Sequence, residues 1–216
     1  MDTIACVGKQ KGRHKVKKEQ EQKTEKNGFL YNIYSLLHDL VYILAAITLI
    51  FVFCIRLVGV NGESMLPTLH HGDYLALQSN VIMGELERGD VIVARKLSFK
   101  DGEPIVKRVI ATEGQTVRID YDDNGAIRVF VNGEMLDESY INEEMLPIYA
   151  VPMEVTVDQE CIFVMGDNRN HSSDSRYEGI GQIRLDQVLG KVLFNVFPAA
   201  DAYSGERDWG RFGKVS

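Results

Sequence analysis

The segment TVRIDYDDNGAIRVFVNGE, Thr116 to Glu134, places two runs rich in Val, Ile and Phe ahead of two Asn-Gly pairs. Each run is short, favours β-branched residues and is bounded by turn chemistry, which predicts a strand. Asn124-Gly125 and Asn132-Gly133 predict hairpins, because both central positions of a type I′ turn need positive φ. The same texture continues on either side, in GDVIVAR (89–95), PIVKRVIA (104–111), ECIFVM (160–165) and KVLFNVF (191–197). No internal repeat and no Rossmann or P-loop glycine pattern interrupts it. The expected fold is mostly β: an antiparallel β domain over residues 59–200, with a smaller hairpin-rich insertion at about 112–160 and a C-terminal tail over 201–216.

Towards the N-terminus the texture changes. LVYILAAITLIFVFCI, Leu40 to Ile55, runs sixteen residues without a charge between Asp39 and Arg56. As a helix this is about 24 Å, somewhat short of a hydrocarbon core of ~30 Å. Arg56 can snorkel, so Leu57 and Val58 extend the run at one end and Leu36 and Leu37 at the other. A transmembrane helix over 36–58 is therefore expected, behind a basic tail over 1–35 whose first 28 or so residues read as solvated. A cleavable secretory signal fits less well, because the basic region is too long and IRLVGVNG offers no small-x-small site. Residues 1–38 carry eight Lys/Arg against four Asp/Glu, and the remainder carries sixteen against twenty-seven. The basic flank predicts a cytoplasmic N-terminus with the β domain outside, and the acidic bulk argues against nucleic acid as a partner.

Cys6, Cys54 and Cys161 fall in a tail, an apolar run and the main domain, so no disulfide framework is expected. Five scattered histidines and the lack of HExxH or CxxC spacing predict no metal site, and no cofactor motif is present.

The stretch NGESMLPTLHHGDYL, Asn61 to Leu75, concentrates candidate chemistry. Gly62-Glu63-Ser64 begins like a nucleophile elbow, but Leu66 replaces the closing glycine and no βαβ series surrounds it. His70, His71 and Asp73 could suggest a triad with Ser64. Triad members usually come from separate elements, however, and two histidines beside Gly-Asp more often mark a solvated turn. Taken alone, Ser64 reads as an N-cap for a short segment.

Its company changes that reading. SMLPT (64–68), GDYLAL (72–77), RGDVIV (88–93), KRVIA (107–111) and GDNRNHSSDSR (166–176) occur in an order that closely resembles bacterial type I signal peptidases. The likeness covers residues 28–200 and is to the shorter, single-span forms of Gram-positive bacteria. It implies a membrane-anchored serine endopeptidase that removes signal peptides from secretory preproteins after a small-x-small site such as Ala-x-Ala. The catalytic domain would then lie outside the cell membrane, with the lipid bilayer and preproteins as partners.

By that resemblance Ser64 is the nucleophile and Lys107 the general base. Ser172 matches a serine that hydrogen-bonds the base, while Asp174 and Arg176 match a charged pair that shapes the loop. Val58, Val60, Met65, Leu69, Ile105 and Val106 would line the pockets for small residues, with ordinary core packing as the alternative for each. The peptide would add as a strand beside LVGVN and EPIVK. A free lysine has a pKa near 10.4, so a base useful at neutral pH needs it lowered by roughly two to three units. Burial does this, and strand alternation sets Lys107 with Ile105 and Val109, leaving Arg108 wet or paired on the other face.

Three features depart from or imitate other patterns. Gly62 stands where some relatives have a Ser or Thr that helps stabilise the oxyanion. DNRNHSSDS imitates a calcium loop, but Arg169 occupies a ligand position and the glycine is missing. Asn170-His171-Ser172 is a glycosylation sequon by coincidence. Two other functions remain open: a dedicated processing peptidase with few substrates, and a non-catalytic membrane-tethered β module that binds exported chains.

Overall fold

The computed structural model describes residues 31–201 and 204–215, so Cys6 and the expected solvated tail lie outside the described residues. Helix α1 spans Tyr31–Phe53, 23 residues, long and apolar enough to cross a membrane. At 1.5 Å per residue it measures about 35 Å against a hydrocarbon core of ~30 Å. The chain divides after Ile50 into two units.

Residues 55–58 correct the expected helix boundary. Instead of extending α1 they open strand β1 (Ile55–Gly59), which pairs antiparallel with β2 (Tyr74–Ser79) from Ile55↔Gln78 to Gly59↔Tyr74. An apolar run suits either structure; here β2 supplies ladder hydrogen bonds, and Ser79 N donates to the Cys54 carbonyl at 2.9 Å.

Ten more strands follow: β3 (Val91–Arg95), β4 (Pro104–Thr112), β5 (Thr116–Tyr121), β6 (Ile127–Val131), β7 (Glu134–Met135), β8 (Met153–Thr156), β9 (Cys161–Met165), β10 (Ile183–Arg184), β11 (Val188–Phe197) and β12 (Gly213–Lys214). They form a large antiparallel sheet in the order β1-β2-β11-β3-β4-β9-β10, with β12 on β11, and a small one in the order β7-β6-β5-β8. The small sheet is built from the segment expected as an insertion.

Its two Asn-Gly pairs make different turns. Asn132 and Gly133 have φ of 53° and 84°, so the β6–β7 link is the tight hairpin that the sequence predicts. In the β5–β6 link Gly125 alone has positive φ, at 81°, and the Asp122 carboxylate accepts the Asn124 and Ala126 amides. Asp122 thereby converts a two-residue turn into a longer loop.

The middle of the large sheet is covered on both faces. On β3, Val91 and Val93 enter one cluster with Val60, Met65, Leu69 and Leu75, while Ile92 and Ala94 enter another with Val109, Ile162 and Val164. A third cluster joins Ile110, Phe163 and Met165 to Val117, Ile119 and Val129 of the small sheet. Double coverage explains why β4 is buried continuously from Lys107 to Ala111.

The expected C-terminal tail is also corrected. After β11 the chain turns, forms a short 3-10 turn at Trp209–Arg211 and adds β12 to the sheet, pairing Phe194↔Lys214 and Asn195↔Gly213.

Candidate active site

Ser64 sits in a run of tight turns between β1 and β2. Leu66 N donates to the Glu63 carbonyl and Leu69 N to the Met65 carbonyl. Met65 and Leu69 anchor the turns in the core. No helix forms here and Ser64 caps nothing; its Oγ accepts a 2.6 Å hydrogen bond from Lys107 Nζ. Lys107 comes from the middle of β4, opposite Ile92 on β3, and is 3% exposed. Its Nζ also donates to the Val106 carbonyl at 2.9 Å.

Arg108, the next residue, is treated differently. It is 1% exposed and gives two hydrogen bonds to the Asp167 carboxylate, 2.8 Å from Nε and 2.7 Å from a terminal nitrogen. Thr68 Oγ1 donates to the same carboxylate at 2.5 Å, and Tyr140 lies under the guanidinium at 4.1 Å. Arg108 is therefore paired and dry, a geometry suited to a planar guanidinium. Burial and the neighbouring Glu138 push the Tyr140 phenol up from its ordinary pKa.

The loop 166–176 closes over these groups. Asp174, fully buried, accepts from Arg176 Nε at 2.7 Å, from the Ser172 hydroxyl at 2.7 Å and from Gly166 N at 3.0 Å. Burial opposes its ionisation, yet hydrogen bonds and charge from Arg176, aided by Gly166 N–H, hold its carboxyl below the ordinary range. Ser172 is thus oriented by Asp174. Arg169 is buried too, paired bidentately with Glu138 of the insertion at 2.8 and 2.5 Å.

Two contacts tie this loop to the nucleophile. Asn168 N donates to the Ser64 carbonyl at 3.1 Å, and its side chain donates to the Glu63 carbonyl at 3.1 Å. Gly166 is obligatory here, because a Cβ on it would stand 2.4 Å from the Ser64 carbonyl oxygen and 2.2 Å from Ser172 Oγ. Sequence reasoning passed over Gly166, Asn168 and Asp167; the glycine that opens GDNRNHSSDSR was the visible signal.

Ser64 and Lys107 open onto a cleft of about 250 Å³ lined also by Val60, Met65, Ile105 and Val106. Leu69 and Val58 sit differently. Leu69 is 0% exposed, and Val58 packs against the same cluster; neither lines the cleft. His171 and Ser173, not singled out in the sequence, do line it.

The triad candidates separate. Asp73 is a buried acceptor for His70 N, Asn195 Nδ2, Ala199 N and Arg211, so the expected solvated turn is instead a packed junction. His71 is exposed, and its Nδ1 accepts from Gly62 N at 3.2 Å. Gly62 has φ of +111°, a conformation that strains any L side chain, so the glycine answers a backbone demand. Asn170 is buried, bonded to Leu146 N and Glu143.

The family described as signal peptidase, peptidase S26, matches residues 33–197. The chain is 35% identical over 164 residues to the probable signal peptidase I-1 of Synechocystis, covering 73% of this chain and 75% of that protein. It is 35% identical over 147 residues to signal peptidase I T of Bacillus subtilis, covering 64% and 72%. Against signal peptidase IB of Staphylococcus aureus the identity is 32% over 188 residues, covering 77% and 92%. The crystal structure of an Enterococcus faecalis signal peptidase I superposes with a TM-score of 0.41 at 29% identity, covering 50% of this chain and 97% of that one.

Proposed function

The chain belongs to the signal peptidase family, peptidase S26, and from that premise we propose that it is a membrane-anchored serine endopeptidase that cleaves secretory preproteins with Ser64 as nucleophile and Lys107 as base. The observation that carries the assignment is the 2.6 Å approach of the Lys107 amine to Ser64 Oγ in an open cleft. That distance is within reach for proton transfer, and burial of the amine disfavours its charged form.

Ser64 Oγ attacks the scissile carbonyl carbon while Lys107 takes its proton. Charge then develops on the carbonyl oxygen. Among the described residues no hydrogen bond uses the Ser64 amide N–H, which leaves it to stabilise that oxygen. Lys107 returns the proton to the departing amine; water, deprotonated by Lys107, then attacks the acyl carbon, and Ser64 Oγ leaves with the proton handed back by Lys107. Asp174 holds Ser172 and Gly166 in the wall behind the Ser64 turn, with Arg176 fixing the Asp174 carboxylate.

The substrate enters as an added strand. β9 pairs with β4 only from Arg108 onward, so over Pro104–Lys107 the edge of β4 away from β3 has no described strand beside it, and β1 ends the sheet. Main-chain hydrogen bonds along such edges bind any sequence, while the walls formed by Val60, Met65, Ile105 and Val106 admit small side chains. This is the basis for a small-x-small site. Helix α1 anchors the enzyme, and the basic flank sets its N-terminus in the cytoplasm with the catalytic domain outside.

The test is to incubate the detergent-solubilised chain with an Ala-x-Ala preprotein and locate the cut by mass spectrometry. Cleavage after the final Ala, lost in Ser64→Ala and in Lys107→Ala and kept in His71→Ala, is expected. Loss with His71→Ala but not with Lys107→Ala would replace the lysine by a histidine base. No cleavage by any form would favour a dedicated substrate or a binding role.

A further inference from the structure

Residues 198–201 and 204–215 lie beyond the stretch that matches the family, yet they return to the turns that carry Ser64. We propose that Arg211 is a positioning residue for Ser64, acting through the buried Asp73 carboxylate; the inference rests on Ser64 being the nucleophile.

Asp73 closes the nucleophile turns. Its backbone carbonyl accepts Val60 N at 2.8 Å, its N donates to the His70 carbonyl at 3.1 Å, and its carboxylate accepts His70 N at 2.8 Å. Gly72 N donates to the Val60 carbonyl at 2.9 Å, so the segment from Val60 to Asp73 is a loop pinned at its base, with Ser64 along its span. The pin is an ion placed in a dry environment. Asp73 is 0% exposed, and three of its donors, His70 N, Asn195 Nδ2 and Ala199 N, are neutral.

Among the described residues Arg211 is the cation paired with it, one terminal nitrogen reaching both carboxylate oxygens at 2.8 and 3.0 Å. A buried carboxylate stripped of its counter-charge must protonate or draw in water, and either response changes what it offers His70 N–H.

The return segment is itself fixed. Asp208 caps the turn that presents Arg211 by accepting Gly210 N at 2.9 Å. Val215 N donates to the Leu193 carbonyl at 3.2 Å, and the Val215 side chain packs on the cluster that contains Met65 and Leu69. Gly72 meets the return closely, since a Cβ there would lie 3.2 Å from Ala199 Cβ. The C-terminus thus holds both the base of the loop and the core under its apolar residues. Neither Asp73 nor Arg211 lines the catalytic cleft, so the expected effect falls on turnover more than on binding.

The experiment uses the full chain in detergent and a signal-peptide substrate, reading kcat and KM separately with the melting midpoint alongside. Arg211→Gln is expected to lower kcat by about ten- to a hundredfold, as a displacement near 1 Å does, with KM little changed. Arg211→Lys is expected to restore most of it, because one nitrogen makes both contacts. Asp208→Ala, which loosens the return without touching the ion pair, is expected to reduce kcat a few-fold and decides the matter if Arg211→Gln does not fold. A kcat like that of the native chain in folded Arg211→Gln or in Asp208→Ala, or a folded Arg211→Lys no better than Arg211→Gln, would overturn the proposal whatever happens to the midpoint. Ser64→Ala run in parallel separates the two levels: full cleavage by it removes the nucleophile assignment, and with it the positioning role. An inactive Ser64→Ala beside an unaffected Arg211→Gln removes the positioning role alone.

Discussion

The turns that carry Ser64 and the loop 166–176 that backs them are built on opposite plans. Around Ser64 the reactive segment itself is open: Glu63 is exposed, Ser64 is half-buried, and the shape comes from backbone hydrogen bonds, the core residues Met65 and Leu69, and the Asp73 carboxylate at the base. In the backing loop most residues from Gly166 to Arg176 are buried, His171 and Ser173 being exposed, and its charges are locked, Asp167 to Arg108, Arg169 to Glu138, and Asp174 to Arg176. The difference teaches where rigidity is placed. The reactive oxygen is left reachable, and the wall behind it is made stiff by ion pairs that water cannot easily loosen.

The largest effect should come from the reactive pair that the two regions frame. Ser64→Ala or Lys107→Met is expected to reduce kcat by about 10⁴-fold or more with the melting point nearly unchanged, and the double variant should be no worse than either single one. Enzyme assays with a melting curve read both quantities. Independent, multiplicative losses would break the idea of one unit.

Gly166→Ala attacks the seam between the two regions. Because the new Cβ meets the Ser64 carbonyl and Ser172 Oγ, both loops must shift, and a loss of about 2–3 kcal/mol with a roughly hundredfold fall in kcat is expected. Denaturant melts and turnover of the same preparation measure it, and a neutral outcome would mean the seam is soft.

Asp174→Asn probes the rigid wall itself. The Asp174 carboxyl titrates below its ordinary value when folded, so its stabilisation is complete above the unfolded pKa of about 3.9 and is lost as pH falls through the lower folded value. Removing the charge leaves Arg176 with its counter-ion gone and should cost on the order of 3 kcal/mol at pH 7. The deficit should shrink in acid, which a pH series of denaturant melts would show; a deficit constant with pH would place the effect elsewhere. The smallest change is expected for His71→Ala. That ring is exposed and accepts one amide hydrogen bond, so activity should stay within about threefold of the native chain.

How much of this was legible beforehand follows the range of each interaction. Local chemistry reads well: the Val- and Ile-rich runs became strands, and Asn132-Gly133 became the tight hairpin. Asn124-Gly125 misleads because Asp122, two residues earlier, bends the loop with its own carboxylate. The order of the five boxes singled out Ser64 and Lys107, which strand spacing alone would have left as a cap and a solvated charge. Partners set by topology were invisible. Nothing in the sequence links Arg169 to Glu138, Arg108 to Asp167 or Arg211 to Asp73, since each pair spans dozens of residues and forms only when sheets close. For the same reason the sequence left Leu69 open between pocket wall and core, and the fold buries it.

The most direct test of the central claim is to quench the enzyme within a single turnover of a signal-peptide substrate and map the acyl group by mass spectrometry. The account predicts a covalent adduct on the peptide that contains Ser64, accumulating in native enzyme and absent in Lys107→Ala. An adduct on another residue, or continued cleavage by Ser64→Ala with none formed, would contradict it.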